Sequence, residues 1–396
     1  MTSFDSSFKK NFKTLLGYFP KINRISNYIG MLLFSKKTFT PPNKSKVLLF
    51  DDSLGETIDK YISRWNYETL HVRGETINFY ILFRSFFHKR GGKLENYIDE
   101  YIKCVQPILI ITLIDNTFSF YKISPKHKAK TLFIQNALRG TQVFGDDAIK
   151  QFKKSPQPLH VDYMCVHGKI VGDAFSKFLK GTPILIGSLK NNYFKRNEKY
   201  KPNTIAVISH FRSKYSPGYR SNSFTKANSI VFDFLSEYVQ ENKKELQIIC
   251  STNIKDERKV YREILNGREC DFIDQPNRYG YSSYLAVDRA EVVIGMGSTL
   301  TYESVARGNK TAFFTITNDD SHRYGFPEEV PDVGPFWTNI PDPKIFKKIL
   351  DHLFEITDEE WRQDLELAKF SKHIVYDPGN TRLKEILKHE LDGNVN

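Results

Sequence analysis

The stretch VVIGMGSTLTYESVARGNKTAFF runs from Val292 to Phe314. An apolar run ends in Gly295-Met296-Gly297-Ser298-Thr299, a segment of helical character follows, and Arg307-Gly308 closes it before a second apolar run. Strand, turn, helix and strand in this order form the repeating unit of a parallel sheet. The two glycines let the backbone turn tightly and approach a ligand. Ser298 or Thr299 caps the helix, and the helix N-terminus offers free N–H groups and positive partial charge, a ready phosphate site. Glu303 lies four residues beyond Thr299, on the same face one turn along. That rise of ~6 Å suits a carboxylate accepting two hydrogen bonds from a ribose diol. It is not at the capping-box offset from either hydroxyl. The plainer reading of the same residues is a strand-to-helix turn with a solvated glutamate.

The pattern continues on both sides. Strand-like runs at 204–209, 246–250, 270–273, 291–294 and 311–316 alternate with helical stretches at 227–242, 254–265, 282–290 and 298–307. Upstream, apolar runs at 46–50, 68–73, 107–114, 130–134, 163–167 and 183–186 alternate with helical stretches at 56–65, 80–88 and 96–105. Strands that are apolar throughout require a sheet covered on both faces. The expected fold class is therefore α/β, with two doubly wound Rossmann-like domains facing a cleft. Residues 46–188 are expected to form the first domain, 189–203 a polar and basic linker, 204–375 the second domain, and 376–396 a C-terminal helix or tail.

Composition narrows the partners. The 396 residues are 40% hydrophobic and 26% charged, enough for two packed cores, and carry a net charge of +12. That charge suggests anionic partners such as anionic lipid or phosphorylated substrates. It is spread along the chain, which does not favour nucleic acid. No apolar run approaches the ~20 residues that span a bilayer. Four cysteines, at 104, 165, 250 and 270, form no CxxC pair and read as reduced thiols of a cytosolic protein. No His/Cys cluster has zinc-site spacing. Residues 1–45 mix Lys and Arg with Phe, Leu, Tyr and Ile. They read either as a basic segment on an anionic membrane surface or as an amphipathic helix packed on its own domain.

Ligands of open α/β sheets bind beyond the carboxyl ends of the strands, so the residues after each apolar run are the candidates. His210 and Arg212 follow the first strand of the second domain. Arg212 suits a ligand phosphate, through charge-assisted hydrogen bonds, and His210 the same phosphate or a departing group. Asp115 and Asn116 end the most apolar strand of the first domain, where Asp115 suits a base for an acceptor hydroxyl and equally a turn cap. Asp51, Asp52 and Glu56 form a second acidic cluster. Asn136 and Arg139 follow the 130–134 run, Arg139 suiting a phosphate or an acidic sugar. Arg278, Tyr279 and Tyr281 border the helix at 282, and Trp337 reads as a packing anchor.

The phrase AEVVIGMGSTLTYESVARGNKTAFF resembles the donor-nucleotide motif of GT-B glycosyltransferases, and more narrowly the bacterial surface carbohydrate (O-antigen or capsule) biosynthesis proteins of that fold. LIITLIDNTFSFY, KTLFIQNALRG, VDYMCVHG, AVISHFR and GPFWTN agree with it. The resemblance implies that Gly297, Ser298 and Thr299 hold the donor phosphate and that Glu303 holds the ribose. It implies a nucleotide-sugar donor as substrate, no cofactor and no bound metal. The implied acceptor is a surface glycan, lipid-linked, reached from the cytoplasm at the inner membrane. Many GT-B relatives carry His-Gly where this chain has Gln135-Asn136, which puts a catalytic role at that position in doubt. A sugar-nucleotide epimerase or hydrolase of the same architecture is the alternative, and a non-catalytic sugar-nucleotide-binding partner a third.

Overall fold

The computed structural model describes residues 35–393 apart from 52–54, 74, 88–92, 140–142, 156–158, 198, 212–222, 251–255, 275–279, 317–325 and 327–332. Arg212, Asp52, Arg278, Tyr279 and most of the N-terminal basic segment lie outside the described residues. By its internal contacts the chain divides into two units: the described residues up to 113 with 126–131, and 114–125 with those from 132 onward.

The first unit opens with β1 (Lys36–Thr38), β2 (Val47–Phe50), α1 (Gly55–Ile62), β3 (Tyr67–Leu70), β4 (Thr76–Asn78), α2 (Phe79–Phe86), α3 (Lys93–Val105) and β5 (Leu109–Thr112). β1 and β4 pair in parallel as a separate two-stranded sheet. Next come β6 (Lys130–Ile134), α4 (Asp146–Lys154), β7 (His160–Val166), α5 (Lys169–Ser176), β8 (Lys180–Leu185) and α6 (Leu189–Tyr193). The first large sheet has the order β3-β2-β5-β6-β7-β8, one of the two common doubly wound arrangements once β4 is set aside. Its central strands are apolar on both faces, as at Val47–Phe50 and Leu109–Ile111, all at most 1% exposed. The apolar run at 68–73 gives a shorter strand than its length suggests: pairing with β2 stops at Leu70.

The remaining elements are β9 (Lys201–Ile208), α7 (Ser223–Glu241), β10 (Glu245–Ile249), α8 (Glu257–Ile264), β11 (Asp271–Ile273), α9 (Ser282–Arg289), β12 (Ala290–Gly295), α10 (Thr299–Ala306), β13 (Thr311–Phe314), β14 (Trp337–Thr338), α11 (Pro343–Glu355), α12 (Asp358–Leu367) and α13 (Thr381–Asp392). Their sheet runs β11-β10-β9-β12-β13-β14 and pairs in parallel throughout. In chain order this is 3-2-1-4-5-6, the dinucleotide-binding order, whose switch point lies between β9 and β12. Period two sorts the side chains: Ile205, Val207, Val292 and Ile294 enter the larger core, while Ala206, Ile208 and Val293 enter the opposite one. The larger core is aromatic. Trp337 packs edge-on against Phe326 and Phe336 at 5.2 and 4.8 Å. A Cβ on Gly334 would stand 2.1 Å from the Trp337 ring, which accounts for the glycine.

Candidate active site at the strand ends

Adjacent strands bring the first candidates together. Val207 of β9 pairs with Ile294 of β12, so His210 and Gly297 each lie two residues past neighbouring strand ends. His210 is half-buried there. Its neighbour Phe211 donates its N–H to Ser209 Oγ, and Ser209 meets Tyr261 Oη at 2.6 Å.

The turn into α10 has two glycines for two reasons. A Cβ on Gly295 would stand 2.0 Å from Thr301 Oγ1, so close packing of helix on strand excludes it. Gly297 has φ of 147°, a region that disfavours any other residue. Ser298 is the N-cap, its Oγ accepting from Leu300 N at 3.3 Å. Thr315 Oγ1 donates to Met296 O at 2.8 Å and pins the turn to the next strand. Gly297, Ser298 and Thr299 are half-exposed, so the positive end of the helix is open to a ligand. Thr299 Oγ1 accepts from the backbone N–H of Leu138 at 3.0 Å. The loop after β6 therefore reaches this turn, and Leu138 joins the larger core.

Glu303 is buried beneath the turn at 5% exposure. Ser188 Oγ donates to Oε1 at 2.5 Å and Tyr284 Oη to Oε2 at 3.0 Å. Burial pushes the carboxyl above its usual range, against the pull of Ser188, Tyr284, Lys190 and Arg307. Both oxygens thus have protein partners from outside α10. Beside it, Arg307 and Asp288 form a fully buried fork, Nε to Oδ1 at 2.8 Å and Nη2 to Oδ2 at 2.5 Å. Arg307 also donates to the carbonyls of Asn191, Phe194 and Lys195 at 2.9–3.2 Å. The segment after α6 is thereby fastened to the end of α10.

The first sheet supplies a second group at its own strand ends. Asp115 is 1% exposed and is held by the Arg139 guanidinium, Nε to Oδ2 at 2.7 Å and Nη2 to Oδ1 at 2.5 Å. Tyr121 Oη donates to the Asp115 carbonyl. Asn116 and Asn136 are exposed beside them. Gln135 is buried; its Oε1 accepts from His167 N at 2.7 Å and its Nε2 donates to Ala137 O at 2.9 Å. The Gln135 side chain thus shapes the loop that carries Asn136, Leu138 and Arg139.

His167 is a strand-end residue that the sequence reading did not single out. It is fully buried at the end of β7, and neither ring nitrogen has a hydrogen-bond partner among the described residues. Burial, aided by the Arg139 charge, pulls its pKa down to about 3, so the ring is neutral. Its signal was available: His167-Gly168 closes an apolar run, the position that singled out Asp115.

The structure does not gather every candidate. Asp51 pairs with Arg73 at 2.7 Å in the first unit, and Glu56 sits in the first turn of α1. Tyr281 stacks on Phe194 at 4.8 Å and donates to Lys195 O. Among the described residues no three His, Cys, Asp or Glu side chains converge as a metal site. No described helix is long and apolar enough to cross a membrane.

A family model for O-antigen biosynthesis proteins matches residues 132–391. No curated protein sequence matches the chain. Among solved structures, the wall teichoic acid polymerase TagF with CDPG aligns over 100% of both chains at 11% identity and TM-score 0.50. The UDP-GlcNAc 2-epimerase of Methanocaldococcus jannaschii aligns over 87% of this chain and 99% of its own at 10% identity and TM-score 0.50. The S. aureus MnaA–UDP co-structure covers 90% and 97% at 12% identity and TM-score 0.50. At these identities the likeness establishes the fold, two Rossmann-like halves of GT-B type.

Proposed function

We propose, for a chain that belongs to this O-antigen biosynthesis family, that it transfers a sugar from a nucleotide-sugar donor to a lipid-linked surface glycan, working at the cytoplasmic face of the membrane and without a metal. The observation that carries the reading is the Leu138–Thr299 hydrogen bond. It sets the open N-terminus of α10 beside the loop that ends in the Arg139–Asp115 pair. A donor diphosphate on Gly297, Ser298 and Thr299 meets oriented N–H groups, a helix dipole and His210 at the neighbouring strand end. Arg212, outside the described residues, is the further cation that the sequence offers for the same phosphate. Charge that develops on the leaving diphosphate is stabilised where it forms.

On the acceptor side, both oxygens of the buried Asp115 accept from Arg139, so the carboxylate meets an acceptor hydroxyl only when the Arg139 side chain yields access to it. Asp115 then takes the hydroxyl proton. Asn116, Asn136 and Arg139 present the polar surface for the acceptor. Glu303 supports the donor side by holding Ser188 and Tyr284; a direct bond to ribose requires it to exchange one of these partners. The TagF structure with CDPG and the MnaA–UDP co-structure make cytidine and uridine diphosphates the first nucleotides to try.

Likeness to a UDP-GlcNAc 2-epimerase over 99% of its length keeps a second reading, acceptor-independent turnover of the nucleotide sugar. One experiment addresses both. Thermal unfolding is followed with CMP, CDP, UDP, GDP and dTDP on the parent chain and on Gly297→Val, then consumption of the matching nucleotide sugars with and without a lipid-linked acceptor. A ligand at about 100 times its Kd adds ~2.7 kcal/mol of apparent stability. The transferase reading requires stabilisation by one nucleotide, its loss in Gly297→Val, and turnover only with acceptor. Turnover without acceptor selects the second reading. Stabilisation by none removes the donor site.

A further inference from the structure

Helix α2 is apolar on two opposite faces. Its inner face buries Ile81 and Ser85, and Asn78 caps it through Oδ1 to Ile81 N at 3.1 Å. Its outer face carries Phe79, Phe83 and Phe86 at helical spacing, followed by Phe87. Phe83, Phe86 and Phe87 are 67%, 64% and 71% exposed. Phe39, just past β1, is 69% exposed and stacks on Phe79 at 5.3 Å; Phe83 meets Phe87 edge-on at 5.1 Å. Single exposed apolar side chains are ordinary, but an aligned aromatic ridge is not.

The surroundings of the ridge indicate what covers it. α2 contains no acidic residue, and its Arg84 is paired with the buried Glu100 of α3 at 2.9 Å, so the positive charge of the ridge rests on neighbouring segments. Lys36 and Lys37, both exposed, precede Phe39, and the sequence after Phe87 is His88-Lys89-Arg90. The segment that supplies Phe39 also lines a cavity of about 360 Å³ through Lys36, Thr38 and Thr40, with Glu68, Tyr97 and Tyr101 opposite. Tyr101 donates to Glu68 at 3.2 Å and Tyr97 accepts from Asn78 N at 3.0 Å, so this cavity has a wired, hydrogen-bonding wall. Aromatic side chains with cations around them and polar groups alongside suit the interface of an anionic bilayer, where rings sit at the headgroup level and cations meet lipid phosphates.

We propose that Phe39, Phe83, Phe86 and Phe87 form the membrane-contact surface of this protein and insert into the interface of an anionic bilayer. The inference deepens the reading of a lipid-linked acceptor and rests on it for its purpose. Its test is separate, because nucleotide binding belongs to α10 and vesicle binding to α2.

The full chain is sedimented with vesicles of phosphatidylethanolamine and phosphatidylglycerol, and with vesicles of phosphatidylcholine alone. The parent chain is expected on the anionic vesicles, and Phe83→Ser/Phe86→Ser is expected to partition at least about tenfold less, since apolar burial and charge act together. Both positions are solvent-facing, and circular dichroism checks that the variant is folded. In a Phe83→Trp variant, brominated lipid is expected to quench the added indole beyond the quenching of the parent. Equal sedimentation of the serine variant and the parent overturns the proposal. So does sedimentation without added quenching, which assigns the contact to the basic N-terminal segment. Failure to bind either vesicle, or a dimer that Phe83→Ser dissolves, overturns it as well. A nucleotide shift that survives in the serine variant shows that the donor site stands whatever the vesicles report.

Discussion

The backbone N–H of Leu138 donates to the side chain of Thr299 at 3.0 Å, across 161 residues of sequence. One hydroxyl thus joins the loop after β6 to the first residue of α10. Thr299→Val keeps the shape and removes the acceptor, leaving the Leu138 N–H unsatisfied. A loss of about 1–3 kcal/mol is expected, measured by urea denaturation, with a matching loss of any nucleotide-induced stabilisation. If Thr299→Val is as stable as the parent, the bond does not organise the site.

The Arg307–Asp288 fork is fully buried, and Arg307 also holds three carbonyls of the segment after α6. Arg307→Met leaves a buried carboxylate without its partner and is expected to cost about 3–5 kcal/mol. Arg307→Lys restores the charge but not the fork, and only part of the loss returns. Adding Asp288→Asn to Arg307→Met recovers stability, which a double-mutant cycle measures as coupling.

Glu303 gives stability a pH dependence of a particular sign. Its folded carboxyl is raised by burial, so it holds its proton where the unfolded chain has released it. Its favourable share is complete below the unfolded value of about 4.3 and is lost as pH rises through the raised folded value. Glu303→Gln keeps both hydrogen-bonding partners and does not titrate. The variant is expected to gain on the parent as pH rises from about 4 to 7. A difference that stays flat over that range rejects the buried, raised carboxyl.

His167 has the opposite sign. Its folded pKa is pulled down to about 3, against about 6.5 unfolded. The stability tied to the neutral ring is present above the unfolded value and is lost as pH falls through the folded one. His167→Gln does not titrate there, so its acid unfolding is expected to be less steep between about pH 6 and 4. Identical acid profiles would show that the ring is hydrated or already charged.

Much of this fold could be read before folding. The run KTLFI bounded by Gln135-Asn136 gives β6 at Lys130–Ile134, because a short apolar run closed by polar residues is a local signal. The GMGST turn was legible for the same reason: Gly297 needs its positive φ whatever packs around it. β1 and β4 were not legible. KKT and TIN carry no strand pattern, and each becomes a strand only by pairing with the other about 40 residues away. α5, whose sequence KIVGDAFS contains a glycine, acquires its helix from burial of Val171, Ala174 and Phe175 on the sheet.

The site divides along the same line. Sequence by itself determined which residues stand at the strand ends, since strand periodicity and turn chemistry act over a few residues. Tertiary structure alone decided what each meets. Asp115 is forked by Arg139. Glu303 faces Ser188 and Tyr284 beneath the turn. Arg307, legible only as the close of a helix, is a buried clamp. Partners 19 to 115 residues apart are chosen by the strand order, which no local pattern encodes.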